Sequence, residues 1–148
     1  MVKTKTIVVY DSLTNNTKRV AEEIAATINC KAIFIDDISK HTLEDQDLII
    51  LGTPVHGARP TEKIGRILDD LNKSKHCALF CTYGAPFFGR KTADACLSYM
   101  KRKAKTDVIS EFRCPGFHQI FKTNRNRPDE QDLQNARDFA NGLLKKIR

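Results

Sequence analysis

The chain has no tryptophan, only seven glycines, and no Cys-x-x-Cys pair among its five cysteines. Each absence excludes something. Cys30, Cys77, Cys81, Cys96 and Cys114 leave one thiol over and lack metal-ligand spacing, which argues against a disulfide framework and against a zinc site. No apolar run approaches the length of a membrane span. Met1-Val2-Lys3-Thr4-Lys5 leads straight into a strand pattern rather than a signal peptide, so the cytoplasm is the expected location. Neither Gly-x-Gly-x-x-Gly nor a Walker-type Gly-Lys-Ser/Thr occurs, so the two commonest phosphate fingerprints are missing. Repeats, linkers and low-complexity segments are absent as well.

What is present fits one globular domain over residues 1–148, with 41% apolar residues and a net charge of +7. The positive charge is scattered rather than gathered. It lies at Lys101, Arg102, Lys103 and Lys105, across Arg113 to Arg127, and at Lys145, Lys146 and Arg148. No aromatic-interleaved motif accompanies it, so a solvated surface is expected and nucleic acid is not a partner. Cys77 and Cys81 read as small buried hydrophobes within a strand. Cys114, beside a loop, is the candidate for a reactive thiol, with inert burial the favoured reading.

The stretch that organises the rest is Thr6 to Tyr10, an apolar β-branched run with the pattern of a buried strand. Seven residues follow, Asp11-Ser12-Leu13-Thr14-Asn15-Asn16-Thr17, three of them hydroxylic and two of them Asn. Then Val20, Ala21, Ile24, Ala25 and Ile28 recur at helical spacing. A helix start leaves backbone N–H groups unpaired and carries partial positive charge, which makes it a seat for phosphate. Hydroxyls at Ser12, Thr14 and Thr17 add donors. The bland alternative is a loop whose Ser, Thr and Asn only cap the helix.

Further strands are expected at Ala32–Ile35, Leu48–Leu51, His76–Cys81 and Val108–Phe112, the last alternating with Val108, Ser110 and Phe112 on one side. One turn of helix fits between Ser39 and Gln46. Full helices are expected after Pro60, over Ala93 to Ala104, and from Asp129 with the stripe Leu133, Ala136, Ala140, Leu143 and Ile147. Strands alternating with helices make an α/β, doubly wound, five-stranded parallel sheet with helices on both faces. The loops after strands one, three and four carry the Gly, Pro, hydroxyl and aromatic residues. In strand order 2-1-3-4-5 those loops share one rim, beside the crevice where such sheets bind ligands.

Asp11 to Thr17 resembles the phosphate loop of flavodoxins, Ser/Thr-x-Thr-Gly-Asn-Thr, with Asn15 where the family usually has Gly. Asn is the next most tolerant residue of a positive φ. The loops Gly52-Thr53-Pro54-Val55-His56-Gly57-Ala58-Arg59-Pro60 and Thr82-Tyr83-Gly84-Ala85-Pro86-Phe87-Phe88-Gly89 resemble those on the two sides of the flavin in that family. From end to end the chain is similar to a short-chain, flavodoxin-like protein. The resemblance implies FMN as cofactor, with Ser12, Leu13, Thr14, Asn15, Asn16 and Thr17 around the phosphate. It implies Thr53, Pro54, Val55, His56 and Gly57 on one side of the ring, and Thr82, Tyr83, Gly84, Phe87, Phe88 and Gly89 on the other. Two departures stand out: the absence of Trp, and a basic rather than acidic balance.

The implied function is electron transfer between redox protein partners, and the positive charge favours partners with an acidic docking face. Arg59, Lys63 and Arg90 border the proposed loops. One alternative is an FMN-dependent oxidoreductase acting on a small substrate such as a quinone. Another is a non-flavin regulatory or binding module. A receiver-type module needs an acidic cluster after strand one and an Asp after strand three, and the chain offers Asp11 alone and Thr53.

Overall fold

The computed structural model describes residues 4–71, 76–85 and 87–147. Pro86 of the third loop, Arg148 of the basic tail and the opening Met1-Val2-Lys3 lie outside them. The strands are β1 (Thr6–Tyr10), β2 (Lys31–Phe34), β3 (Leu48–Pro54), β4 (His76–Tyr83) and β5 (Asp107–Pro115). The helices are α1 (Asn16–Thr27), the single turn α2 (Lys40–Glu44), α3 (Glu62–Asp70), α4 (Gly89–Lys103) and α5 (Glu130–Lys146). All strands run parallel in the order β2-β1-β3-β4-β5, as the sequence pattern implies.

Two cores flank the sheet. Ile7, Val9, Ile49, Leu51, Leu79 and Cys81 point toward α3 and α4, where they meet Ile64, Leu68, Ala93, Leu97 and Met100. Val8, Tyr10, Leu48, Ile50, Ala78 and Phe80 point the other way, toward Val20, Ala21 and Ile24 of α1 and Ala136, Ala140 and Leu143 of α5. Alternation along each strand is what divides them. Because both faces are covered, the central strands are unbroken apolar runs. Gly52 belongs to β3 because its register partner Phe80 lies across it: a Cβ there would stand 2.0 Å from the ring.

Several boundaries differ from the sequence expectation, for local reasons. β3 runs on through Gly52, Thr53 and Pro54, and β4 through Thr82 and Tyr83. β1 ends at Tyr10 opposite Gly52, so Pro54 has no ladder partner on that side to lose. β2 stops at Phe34, and Ile35–Asp37 form a 3-10 turn. Pro60 does not open α3; Thr61 is its N-cap. The predicted alternation of Val108, Ser110 and Phe112 is broken. Cys77 pairs with Val108 but Ala78 pairs with Ser110, so Ile109 is an extra residue in the ladder. This bulge puts Ile109 and Phe112 together on the α1–α5 face, with Val108 on the other. Among the described residues no helix is long and apolar enough to cross a membrane.

Candidate functional site

The carboxyl ends of the strands are tied to one another by backbone bonds. Asp11 N–H donates to the Gly52 carbonyl at 3.0 Å, Val55 N–H to the Thr82 carbonyl at 3.0 Å, and Gly116 N–H to the Tyr83 carbonyl at 2.7 Å. Two side chains of the first α1 turn cross the rim. The Thr17 hydroxyl lies 2.8 Å from the Thr82 hydroxyl, both buried, and Asn16 Nδ2 donates to the Phe117 carbonyl at 2.9 Å. The rim is thereby a single stitched structure.

The first loop is shaped as its residue types require. Asn15 is the N-cap of α1, at φ 68° in the left-handed region, and its side chain makes no cap bond. This is the conformation that Asn tolerates and most other residues resist. Asn16 and Thr17 lie inside the helix, not in the loop. The backbone N–H groups of Thr14, Asn15, Asn16 and Thr17 have no acceptor among the described residues, and the first turn carries no acidic side chain. Lys18 N–H reaches only the Ser12 hydroxyl, at 3.4 Å. Among the described residues the Asp11 carboxylate takes only the Ser12 N–H, at 2.9 Å, which leaves a set of aligned N–H donors and the hydroxyls of Ser12 and Thr14, the donor chemistry of a phosphate seat.

The second loop is a two-residue hairpin. His56 N–H donates to the Arg59 carbonyl at 2.8 Å and Arg59 N–H returns to the His56 carbonyl at 2.9 Å. Gly57 at φ 54° and Ala58 at φ 64° are both left-handed, the signature of a type I′ turn. His56 and Gly57 are exposed. Thr53 is fully buried; its hydroxyl donates to the Pro54 carbonyl at 2.8 Å and accepts from Thr61 N–H at 3.0 Å, so it fixes the loop rather than facing the crevice. Val55 is half-buried against the α3–α4 core.

The third loop divides between core and solvent. Tyr83 packs into the α3–α4 core with its ring edge against Gly89, and burial raises its hydroxyl pKa while Arg113 and Arg90 oppose the rise. Thr82 is buried against Thr17. Phe88 is 64% exposed and Phe87 is 97% exposed at φ 63°.

Two of the three cations expected at the crevice are engaged elsewhere. The Arg59 guanidinium stacks 4.1 Å from the centre of the Tyr99 ring. Lys63 pairs with Asp36 at 2.7 Å, beside a cavity of about 350 Å³ lined by Ile35, Ile38, Ile49 and Ile67, away from the three loops. Among the described residues Lys63 alone of the three has an acidic partner, and Arg90 forms neither an ion pair nor a ring contact. Cys114 is 1% exposed, and burial pushes its thiol up to about 12, which makes it inert.

The segment after β5 is the part that the sequence pattern did not single out. β5 continues through Arg113, Cys114 and Pro115, and residues 116–128 then fold against the other loops. The Thr123 hydroxyl donates to the Gly84 carbonyl, and a Cβ on Gly84 would meet the Gly116 carbonyl at 2.8 Å. Arg127 forks onto Asp132, which is 3% exposed and closes a capping box with Asp129. Burial alone raises the Asp132 pKa, but the bonds from Arg127 and from Asp129 N–H outweigh it and hold the carboxyl below its usual range. The available signal was topological: Pro115-Gly116-Phe117-His118 ends a parallel strand on the same rim.

The flavodoxin domain family matches residues 7–119, a span that takes in all three loops after β1, β3 and β4. The chain belongs to the flavodoxin domain family. An uncharacterised protein of Methanocaldococcus jannaschii is 32% identical over 149 residues, covering 95% of this chain and 99% of its own. Oxidised flavodoxin 1 of Bacillus cereus superposes with a TM-score of 0.70 at 20% identity, covering 95% of this chain and 97% of its own. The rubredoxin:oxygen oxidoreductase of Desulfovibrio gigas superposes with a TM-score of 0.64 at 16% identity, covering 97% of this chain but 37% of its own. Within this flavodoxin domain, Asn15 holds the left-handed backbone conformation that glycine adopts most readily.

Proposed function

We propose that this flavodoxin-domain protein binds FMN at the β1–β3–β4 rim and carries electrons between redox proteins. The observation that carries the reading is the start of α1: four backbone N–H groups without acceptors among the described residues, beside the Ser12 and Thr14 hydroxyls. The Asn16 amide is anchored to Phe117 and so fixes this turn in place. No side chain is required as acid, base or nucleophile, because the flavin when bound supplies the one- and two-electron chemistry. The chain's own residues bind, orient and shield. The His56–Arg59 hairpin forms one wall, Gly84, Ala85, Phe87 and Phe88 the other, and Thr53, Thr17 and Thr82 brace them from beneath. Its partners are redox proteins, and the excess of positive charge favours acidic ones.

The test is a titration of the purified chain with FMN and with riboflavin, followed by flavin fluorescence. Tight FMN binding and riboflavin binding at least about a hundred-fold weaker are expected, since several charge-assisted bonds are lost with the phosphate. Equal affinity for the two would remove the phosphate seat. Turnover of nicotinamide nucleotide with a soluble quinone separates the carrier from a small-substrate oxidoreductase, and no sustained turnover is expected.

A further inference from the structure

Five large apolar side chains stand in solvent among the described residues: Leu13, Phe87, Phe88, Ile120 and Phe121. All five are on the rim, and four of them sit on two loops that touch, the one after β4 and the one after β5. The cations beside these four are Arg90 and Lys91 at the start of α4, and Lys122 and Arg125 on the second loop. None of the four forms an ion pair among the described residues. Neither residues 83–91 nor residues 116–128 contain a single Asp or Glu. Elsewhere on the rim Lys63 is matched by Asp36, Arg113 by Asp94 and Arg127 by Asp132, while Arg59 rests on the Tyr99 ring and Arg19 donates to the Pro128 carbonyl.

Bonds and ring contacts also run through the patch. Lys91 lies 5.9 Å from the Phe88 ring centre, and Lys122 lies 5.8 Å from that of Phe117. His118 N–H donates to the Thr123 carbonyl at 3.0 Å, Lys122 N–H to the His118 carbonyl at 2.8 Å, and Phe121 N–H to His118 Nδ1 at 3.2 Å. Phe87, Lys122 and Asn124 hold positive φ angles, costly for an aromatic residue and maintained only by surrounding structure.

We propose that this half of the rim, residues 87–91 with 117–125, is the docking surface for an acidic electron-transfer protein. This rests on the FMN reading for its purpose, though not for the contact itself. An apolar, aromatic centre with cations around it has the composition of a protein interface core and its rim. Its single charge sign selects an acidic partner and repels a second copy of this chain. The bonded, preorganised loop lowers the ordering cost of docking a shaped surface, a saving of no use against a fluid lipid headgroup layer.

The probe is one redox protein in two charge forms: native cytochrome c, which is basic, and succinylated cytochrome c, which is acidic. Oxidation of the reduced, FMN-loaded chain is followed by stopped flow, and binding of the unloaded chain by sedimentation velocity. The succinylated form is expected to react faster at low salt and to slow at least about ten-fold as ionic strength rises. Lys122→Glu and Arg125→Glu are each expected to slow it about five-fold, and Phe121→Ser to weaken binding several-fold at every salt concentration. Lys31→Glu and Lys145→Glu, at the opposite end of the sheet, are expected to change it less than two-fold. A preference for the native form, or equal effects from the distant reversals, overturns the proposal. So does tighter binding to phosphatidylglycerol vesicles than to the succinylated protein. If the chain takes no FMN yet still binds the succinylated protein through Lys122 and Phe121, the docking surface stands and the cofactor reading falls. If it takes FMN but makes no such contact, the docking surface falls and the cofactor reading stands.

Discussion

The two halves of the rim are made of different materials. Around β1 and β3 the exposed groups are mostly backbone N–H, hydroxyl and amide, with Leu13 the one large apolar side chain there among the described residues, and two nearby cations are engaged, Lys63 with Asp36 and Arg59 with the face of Tyr99. Around β4 and β5 the exposed groups are aromatic rings and unmatched cations. Uncharged, directional donors suit a small anion that must be held in one pose. Broad apolar area and unpaired charge suit a large partner that must be met and released. One end of one sheet therefore does two jobs that meet only at Phe87 and Phe88, and mutations away from that seam should separate them.

The sharpest separation comes from the first half. Thr14→Ala is expected to weaken FMN binding by roughly ten-fold or more, since a hydrogen bond to a charged group contributes about 1.5–3 kcal/mol. The same change should leave association with an acidic protein untouched. A fluorescence titration beside the sedimentation assay reads both, and a joint loss would erase the distinction between the halves.

Next in size is the tie that anchors the second half. Asp132→Ala removes the Arg127 fork and the capping box, and is expected to destabilise the chain by about 2–3 kcal/mol in urea unfolding. Its pH dependence has a definite sign. The Asp132 pKa is held below its unfolded value of 3.8, so its contribution is complete above that value and is lost as pH falls through the lower, folded one. The unfolding midpoint of the wild type should be level near neutrality and decline below about pH 4. Asp132→Asn should flatten part of that decline. A variant as acid-sensitive as the wild type would assign the loss to other carboxylates.

A smaller effect is expected at the hairpin wall. Ala58 holds a left-handed φ of 64° for which glycine is better suited. Ala58→Gly is expected to raise stability by about 0.5–1 kcal/mol, the left-handed penalty less the extra chain entropy of glycine. In thermal unfolding that is a rise of roughly 2–4 °C for a chain of this size. A fall would mean that the turn is held by something other than its φ angles.

The smallest effect probes whether charge leaks between the halves. One positive charge about 10 Å from a flavin in high dielectric shifts its second-electron potential by at most about 20 mV, less in salt. Arg90→Gln is expected to lower that potential by no more than this amount, and Arg59→Gln by less. Potentiometry at low and high salt is the measurement, and a much larger shift would place Arg90 with the ligand half.

How much of this was legible in the sequence depended on whether a feature was local. β1, β3 and β4 announce themselves because strands buried on both faces must be apolar throughout. Asn15 was legible because its backbone conformation follows from its own side chain. The ends of β3 and β5 were not, since Pro54 and Pro115 suggest loops. They are tolerated where the ladder no longer needs their missing N–H, a fact about neighbouring strands. The reversal of Phe112 comes from a bulge at Ile109 that no alternation pattern records. The engagement of Arg59 and Lys63 depends on Tyr99 and Asp36, each more than twenty residues distant along the chain. The loop after β5 looked merely polar because Ile120 and Phe121 are outnumbered in it by Lys, Arg and Asn.

The stitching of the strand ends has a kinetic meaning. With Asp11 tied to Gly52, Val55 to Thr82, Gly116 to Tyr83 and Asn16 to Phe117, the strand ends are bonded to one another across the rim, which opposes the swing of one wall against the other. A ligand seated there enters and leaves without a lid. Its residence time is then expected to follow the contacts it makes, with the His56–Arg59 turn held by its own bridge and by Arg59 on Tyr99. Empty and loaded forms should accordingly share one backbone. The occupancy of the site should follow ligand concentration smoothly, as in a preformed socket rather than a closing jaw.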